Sequence, residues 1–549
     1  MSTFKKPSIL AVFCIIIITF QSVQAWNNVD DPPVIPYKTS PSILFGKDIV
    51  INDIPNQNQK NLSICSAPNG WLYAIYSIDS LNNPWFKVLR SKDNGYSWNF
   101  LGEHTIEAPD VRSIRLEAVA VGIDSSDQKL FVAEILHYVP TGEKCMQLYR
   151  FNCDPFTFEK TLISSSIFFG FHDMAIAVDY TFPALLSSPF SMGVLLSEGT
   201  LTTEELVLFL SGDGRQNITQ HRQIAVSNKK IRNVALAYGR SSYQNYGRYF
   251  ATWEEDADTS AAHGHIYTSH SDPDFNSPFT TPIQLDGLDP SLTNLCRNPV
   301  IACQVNDIDN DSANLSEVVL FEKFNPGSGD YDIAGFYNKK GATGKTFTRL
   351  NVASTSNNEL QPDIVFNPFD STFIVTYYDS TNQKLPLLKN NLNLVNPGSW
   401  DVVSPGYNES FKLSNPNPKV RLNMALQKPI NGWIGTRPSG NGVALFDASY
   451  FPPTGIGEQN QPDLVHLYGA YPNPCNTPVT ISFDLKKTEK VVISLHNLVG
   501  QSVATITNQI YQPGKNSVTY DVSGLPAGSY YYTLKAGSYS KSGKICVVR

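Results

Sequence analysis

Long apolar runs are absent from the chain after its first 25 residues. No later stretch reaches about eighteen apolar residues, which a membrane-spanning helix requires. Basic residues are also few, with 42 lysines and arginines against 49 acidic residues and no basic stripe. No CxxC pair or His/Cys spacing typical of a zinc site occurs. These absences predict a soluble mature protein without a transmembrane span, and they argue against a nucleic-acid partner.

The first 25 residues have the composition of a secretory signal peptide. Lys5 and Lys6 form a short basic region, and residues 9–20 form an apolar run that is too short to span a bilayer. Ala25 is a small residue suited to cleavage before Trp26. Removing this segment takes away two lysines and no acid, so the formal net charge moves from −7 to −9.

Residues 43–449 repeat a pattern of short aromatic and β-branched strands separated by turns, with no convincing amphipathic helix. Seven units can be aligned at spacings of about 45 to 65 residues. The predicted innermost strand of each unit begins, in chain order, at Ile64, Ala118, Ala175, Ala235, Val300, Ile364 and Met424.

The seventh unit lacks a fourth strand, while an unassigned strand at residues 43–51 precedes the first unit. We expect this strand to pair with residues 443–446 and to close the repeat into a ring, because closure removes exposed sheet edges. The predicted fold class is therefore all-β. Residues 26–449 form a seven-bladed β-propeller, with six blades as the alternative, and residues 450–468 form a linker.

One turn of the repeat has a distinctive sequence at residues 91–98, SKDNGYSW. Asp93 can accept backbone N–H groups in a turn, Gly95 allows a positive φ, and Trp98 can bury its ring. The pattern S-x-D-x-G-x-x-W resembles the Asp box, or BNR repeat, of sialidase-like β-propellers. In that family it is a structural motif and not a catalytic one.

The C-terminal stretch consists of short alternating strands split by Gly, Pro and Asn turns, which is typical of a small β-sandwich. Ile481, Phe483 and Leu485 are expected to share one face of a strand. The motifs follow in order at residues 471–474 (YPNP), 481–485 (ISFDL), 500–501 (GQ), 523–534 (SGLPAGSYYYTL) and 544–548 (KICVV).

These spaced motifs resemble the C-terminal sorting domain, type A, of the type IX secretion system. The resemblance implies that residues 469–549 are a small Ig-like sandwich recognised by the type IX secretion machinery. It also implies that the protein is secreted or placed on the outer-membrane cell surface after passing through the periplasm. An ordinary C-terminal Ig-like binding module is the alternative.

Basic side chains precede five of the seven predicted inner strands. If the register of the repeat holds, they ring the channel mouth, where carboxylates and tyrosines at the ends of second strands lie beside them. Such a mouth could hold an anionic sugar or an acidic peptide through charge-assisted hydrogen bonds, so the ligand would be a glycan or an extracellular protein. Alternatively, each basic group pairs with the carboxylate of a neighbouring unit. The candidate binding residues are Arg115, His172, Arg232, Arg297, Arg421, Glu254, Glu255, Tyr377 and Tyr378.

An enzyme of the sialidase-like class is the second functional hypothesis. Sialidases share the Asp box, but their N-terminal Arg-Ile-Pro motif is missing here, because Val34 occupies the arginine position before Ile35 and Pro36. No nucleophile or acid can be assigned from the sequence. A glycoside hydrolase would need two carboxyl groups roughly 5 to 10 Å apart. The sequence therefore favours a binding protein over a hydrolase.

One acidic run could bind a metal. Asp307, Asp309 and Asp311 match the start of a calcium loop, but Ser312 replaces the expected glycine and Glu317 comes one residue early. The departures favour a solvated hairpin loop over a calcium site. No other cofactor is predicted.

Overall fold

The chain divides into two compact units, one up to Thr454 and one from Gly455. The computed structural model describes residues 48–548 except 79–84, 106–109, 123–127, 165–169, 179–191, 200–202, 212–216, 240–246, 257–262, 272–277, 293–294, 305–315, 339–346, 392–399, 409, 450–464, 474, 477, 486, 498–501 and 537–538. The predicted signal peptide, the start of the N-terminal strand, most of the predicted linker and the acidic run at 307–311 lie outside these residues.

The first unit is built from short antiparallel strands. They are β1 (Ile49–Val50), β2 (Gln59–Ser66), β3 (Leu72–Ile78), β4 (Trp85–Ser91), β5 (Asn99–Thr105), β6 (Val111–Val121), β7 (Lys129–Tyr138), β8 (Lys144–Cys153), β9 (Phe156–Ser164), β10 (Gly170–Val178), β11 (Met192–Gly199), β12 (Glu204–Leu210), β13 (Gln220–Ser227), β14 (Ile231–Gly239), β15 (Arg248–Asp256), β16 (Gly264–His270), β17 (Ile283–Gln284), β18 (Cys296–Cys303), β19 (Glu317–Asn325), β20 (Asp330–Asn338), β21 (Phe347–Ala353), β22 (Glu359–Asn367), β23 (Thr372–Asp379), β24 (Leu387–Asn390), β25 (Asp401–Ser404), β26 (Lys419–Asn423), β27 (Lys428–Thr436) and β28 (Gly442–Ala448). Two short 3-10 helices, Asp286–Leu288 and Pro290–Leu292, follow β17.

Within the described part of this unit, the strands group into seven sets of four. We number these sets sheets 1 to 7: β2–β5, β6–β9, β10–β13, β14–β17, β18–β21, β22–β25, and β26–β28 with β1. Sheets 4 and 5 are joined by a single residue pair, Gly264 with Cys296. As predicted, the N-terminal strand completes the last set, because Ile49 pairs with Phe446 and Val50 with Leu445.

Consecutive sheets pack through hydrophobic clusters. Ile64 and Leu72 of sheet 1, for example, share a cluster with Ala444 and Phe446 of sheet 7. Equivalent clusters join each of the other six neighbouring pairs of sheets. The first strands also contact one another in a cycle, β2, β6, β10, β14, β18, β22, β26 and back to β2. The all-β prediction for this unit is confirmed, and its sheets are arranged as in a propeller.

Each neighbouring pair of sheets is also joined by a hydrogen bond from a backbone N–H to a side chain of the adjacent sheet. The donor lies in a first strand or, for Met424, in the turn directly after one. We call these bonds the inter-sheet links. Their donors and acceptors are Ala118 N to Ser63 Oγ, Ile176 N to Glu117 Oε2, Val234 N to Asp173 Oδ2, Asn298 N to Glu254 Oε2, Gln361 N to Glu322 Oε1, Val420 N to Asp363 Oδ2 and Met424 N to Ser66 Oγ. A buried N–H group must find an acceptor, so these side chains have a structural role.

The turn at residues 91–98 has the predicted local structure. Gly95 has φ +92° and donates its N–H to Ser91 Oγ at 2.7 Å, while Ser97 N donates to Asp93 Oδ1 at 2.9 Å. A side chain at Gly95 would collide with the ring of Phe446 in sheet 7. Trp98 packs edge-on against that same ring at 5.2 Å between centroids. The turn therefore fixes one side of the contact between sheets 1 and 7.

The second unit contains two sheets. Its strands are β29 (Val465–Tyr471), β30 (Val479–Leu485), β31 (Glu489–His496), β32 (Ser502–Tyr511), β33 (Gly514–Tyr520), β34 (Gly528–Ala536) and β35 (Tyr539–Val547). The sheet orders are β29-β30-β33 and β32-β31-β34-β35. Residues from both sheets form one core, in which Ile481, Phe483 and Leu485 point inward from β30, as predicted. Cys475 lies in this core, whereas Cys546 alternates with the buried Ile545 and Val547.

Candidate functional site

A central cavity of about 530 Å³ lies along the first strands of the seven sheets. Its volume is within the range of ligand-binding pockets, about 300 to 1,000 Å³. Every sheet contributes lining residues from its first strand or from the turn just before it. Apolar side chains such as Leu116, Leu236 and Ile364 line part of the wall, and charged and amide side chains line another part.

Arg115 is one of the two predicted arginines that line this cavity. Its guanidinium pairs with Asp173 and, at 2.5 Å, with Glu117. Both carboxylates also accept inter-sheet links, so Arg115 neutralises groups that join sheets 2, 3 and 4. Burial alone would lower the pKa of Arg115, but the two carboxylates together raise it above its ordinary value.

Arg421 is the second predicted arginine on the cavity wall. Its Nη1 donates to Asp363 Oδ2 and to the carbonyl oxygen of Val420, each at 2.7 Å. Asp363 is the acceptor of the link between sheets 6 and 7. The positive charge of Arg421 therefore balances the negative charge of Asp363, which also accepts the inter-sheet link from the backbone of Val420.

Arg232 and Arg297 do not line the cavity, and each binds a fully buried glutamate on the second strand of its own sheet. Arg232 donates to Glu254 Oε1 at 3.0 and 2.7 Å, and Arg297 Nε donates to Glu322 Oε2 at 2.6 Å. The guanidinium of Arg297 also stacks over the ring of Tyr331 at 3.9 Å. Isolated buried carboxylates would be costly, so these pairs stabilise the ring from outside the cavity.

The remaining predicted residues also lie away from the cavity wall. His172 Nε2 is 2.8 Å from Glu204 Oε2, and burial lowers the pKa of His172 although Glu204 opposes this effect. Glu255 accepts hydrogen bonds from Ser227 Oγ at 2.9 Å and from Trp253 Nε1 at 3.0 Å.

Tyr377 and Tyr378 are buried in the packing between sheets. Burial raises the pKa of both phenols. Tyr378 donates to the carbonyl oxygen of Leu413 at 2.8 Å. The two hydroxyl groups are therefore not arranged at the cavity as the sequence suggested.

Lys419 is a cavity-lining cation that the sequence analysis did not select. Among the described residues, its ammonium group makes no hydrogen bond or ion pair. Burial lowers the pKa of Lys419, Asp363 opposes this effect, and Arg421 adds to it. A signal was present in the sequence, since the alternation Lys419-Val420-Arg421 with a buried valine places both cations on the same face of β26.

Three asparagines in equivalent positions surround the cavity with amide groups. Asn61, Asn233 and Asn298 all have φ near +50° at the register shift of a first strand, a conformation that asparagine tolerates well. Asn233 and Asn298 use their amide nitrogens on Glu254 and Glu322, at 2.7 and 3.0 Å. Their side-chain carbonyl oxygens, like that of Asn61, accept no hydrogen bond from any residue that the structure describes.

Metal-binding groups are not found in the part of the chain that the structure describes: no three His, Cys, Asp or Glu side chains are placed to hold an ion. His263 contacts Tyr331, and His265 contacts Asp286, each at 2.8 Å. The predicted calcium loop with Asp307, Asp309 and Asp311 is outside the described residues. Likewise, no described helix has the length and apolar character to cross a membrane.

The C-terminal unit matches a known family. Residues 469–548 match the secretion system C-terminal sorting domain. This domain indicates export by the type IX route to the cell surface or the extracellular space. The resemblance inferred from the spaced motifs is thereby confirmed for this part of the chain. No curated protein matches the sequence.

Several solved structures are weakly similar to the chain. One is a protein of unknown function from Dyadobacter fermentans, with 10% identity over 74% of this chain and 98% of that chain and a TM-score of 0.39. Another is the endo-arabinase from Bacteroides thetaiotaomicron, with 10% identity, coverages of 64% and 99%, and a TM-score of 0.31. The exo-β-1,3-galactanase from Phanerochaete chrysosporium gives 11% identity, coverages of 86% and 96%, and a TM-score of 0.30. Because these TM-scores are below 0.5, they carry no argument about function.

Proposed function

We propose that this exported protein is a closed seven-bladed β-propeller that binds a glycan or extracellular protein ligand at its central cavity. The seven four-stranded sets, the cycle of contacts between their first strands and the seven inter-sheet links support the closed ring. The observation that carries the binding function is the cavity, to which every sheet contributes lining residues and which combines apolar, amide and charged groups.

The geometry favours binding over hydrolysis. A retaining or inverting glycosidase needs two carboxyl groups that can act on the substrate. At the cavity wall, Glu117 and Asp363 are each occupied by an arginine and a backbone N–H. Removing either carboxylate from these partners would leave buried donors without an acceptor. A sialidase-like reaction therefore has no support from the described side chains.

The binding function can be tested by filling the cavity. Ala237 lines the cavity, and Ala237→Phe would place an aromatic ring there. The full-length protein and this variant are screened against arrays of bacterial polysaccharides, host glycans and extracellular matrix proteins. We expect wild-type binding to at least one class and a loss of at least tenfold in the variant. Val402→Phe is the control, because Val402 is 63% exposed and does not line the cavity.

Two results would contradict the proposal. One is the absence of any ligand for the wild-type protein. The other is equal binding by wild type and Ala237→Phe when thermal melting shows that both are folded.

A further inference from the structure

The charged part of the cavity wall contains three cations with unequal partners. Arg115 pairs with Asp173 and Glu117, and Arg421 pairs with Asp363, whereas Lys419 makes no ion pair or hydrogen bond among the described residues. Lys419 is half-buried, so its ammonium group loses part of its hydration without a described protein partner in return. Its side chain takes no part in the inter-sheet links. An anion delivered from solution would supply the missing partner.

The asparagine side chains around the cavity indicate which hydrogen-bonding groups a ligand would carry besides an anion. The side-chain carbonyl oxygens of Asn61, Asn233 and Asn298 are acceptors without donors among the described residues. Each lies on a cavity-lining residue. Hydroxyl groups are neutral donors that would satisfy such oxygens without adding positive charge beside the three cations. The apolar wall formed by residues such as Leu116 and Leu236 would accept the C–H faces of a sugar ring.

We propose that the cavity binds an acidic sugar of the hexuronic acid class, whose carboxylate pairs with Lys419 and whose hydroxyl groups meet the asparagine carbonyl oxygens. This inference rests on the proposed binding function and names its ligand class. The cavity volume of about 530 Å³ accommodates one or two sugar rings. The charges of Arg115 and Arg421 are already balanced by Glu117, Asp173 and Asp363, so Lys419 is the described cation on this wall that is left to pair with a ligand carboxylate.

Protonation of Lys419 provides an independent readout. Asp363, Arg421, Arg115 and Glu117 are the charged groups that act on this amine, and burial lowers its pKa. A carboxylate bound beside it would raise that pKa again, because opposite charge favours the ammonium form. Binding should therefore be accompanied by proton uptake at alkaline pH, and affinity should fall as the pH rises through the pKa of the unliganded lysine.

The test is isothermal titration calorimetry of the full-length protein with glucuronate and with glucose. We expect glucuronate to bind at least tenfold more tightly than glucose, and 1 M NaCl to weaken only the glucuronate binding. Lys419→Met should reduce glucuronate affinity at least tenfold and abolish the proton uptake, while glucose binding stays unchanged. Lys428→Met is the matched control, because Lys428 is exposed and outside the cavity, and it should behave as wild type.

Folding of the variant is measured separately. Removing an unpaired cation should leave the melting temperature equal or raised, and Lys419→Gln provides a second variant with the same expectation. Glucuronate affinity that is the same in wild type and Lys419→Met would overturn the proposal, as would equal affinity for glucose and glucuronate. If array ligands bind the cavity but glucuronate does not, the acidic-sugar assignment fails and the binding function stands. If neither an array ligand nor glucuronate binds, both fail.

Discussion

At the scale of single residues, three buried glutamates have no arginine partner among the described ion pairs, unlike Glu117, Glu254 and Glu322 near the cavity. Burial raises the pKa of Glu134, Glu317 and Glu359 to about 7. Neither carboxylate oxygen of Glu134 has a hydrogen-bond partner among the described residues, although the hydroxyls of Ser113 and Tyr149 oppose part of the effect. These groups are neutral in mildly acidic solution and must ionise inside the protein as the pH rises.

The glutamates make stability depend on pH in a defined direction. The folded-state pKa of Glu134 is about 7 and the ordinary value is 4.5, so the folded form holds the proton more tightly. Stability is therefore highest below about pH 4.5 for this group and falls until the pH passes 7. The full loss is on the order of 3 kcal/mol for one residue, since each pKa unit is worth about 1.4 kcal/mol.

Glu134→Gln should reduce the fall in free energy of unfolding between pH 5 and pH 8 by about 2 to 3 kcal/mol, because the variant has no carboxyl group to ionise in this range. Urea titrations at several pH values would measure this change. Glu103→Gln is the control, because Glu103 is 46% exposed and should leave the pH dependence unaltered. A pH dependence that is the same in wild type and Glu134→Gln would show that the carboxylate ionises without penalty.

The register shifts of the first strands explain which residue predictions succeeded. The sequence aligned the basic residues as if they held one position, but Arg115 follows the shift in its strand, whereas Arg232 and Arg297 precede it. One inserted residue turns later side chains to the opposite face of a sheet. Arg115 therefore faces the cavity and the other two face the second strands. An aligned repeat does not reveal where a strand bulges.

At the scale of elements, the strand order and the pairing of the N-terminal strand could be predicted because hydrophobic alternation and strand count are properties of the sequence. The inter-sheet links could not, because their partners come from different sheets about 40 to 60 residues apart, or more than 350 for Met424 with Ser66. Nothing local in the sequence marks Ser63 or Ser66 as an acceptor for a neighbouring sheet. For the same reason, the sequence could not show that Asp363 of sheet 6 pairs with Arg421 and not with Lys419.

The pairing of the N-terminal strand β1 with β28 leads to a prediction about the stability of the first unit. Ile51 N donates to Ala444 O at 3.0 Å, and its side chain is buried. Ile51→Pro removes the donor and part of the packing, so we expect a loss of about 2 to 4 kcal/mol in the free energy of unfolding. Ile51→Val keeps the hydrogen bond and should lose about 0.5 to 1.5 kcal/mol. Similar urea midpoints for the two variants would mean that the pairing does not support the ring.

At the scale of the whole molecule, two units with different tasks share the chain. The second unit has its own hydrophobic core, with Val479, Ile493 and Leu534 contributed by different strands. Its motifs could be recognised from sequence because turn residues and strand residues occur in a fixed order. The ligand class proposed for the first unit could not be recognised, since it depends on which side chains meet in the cavity and not on the order of strands.

Deletion of residues 469–549 should prevent delivery to the cell surface in the native host. The reason is that the C-terminal unit matches a secretion system sorting domain. We expect the truncated protein to accumulate in the periplasm, as measured by fractionation and by protease treatment of intact cells. Replacing only Asn508 and Gln509, exposed residues outside the sequence motifs of the unit, by alanine is the milder control and should leave surface delivery unchanged. Normal surface delivery of the truncated chain would contradict the sorting role.

The pairing of β1 with β28 also constrains the order of events during biosynthesis. Ile49 and Phe446 are separated by on the order of 400 residues, so β1, the first described strand, cannot pair until β28 has been synthesised. Until the two strands pair, β28 keeps an unpaired edge in sheet 7 that can associate with other chains. An exported chain in this state needs protection from premature association. The described strand that must stay unpaired is short, Ile49–Val50, which limits the surface that has to be shielded.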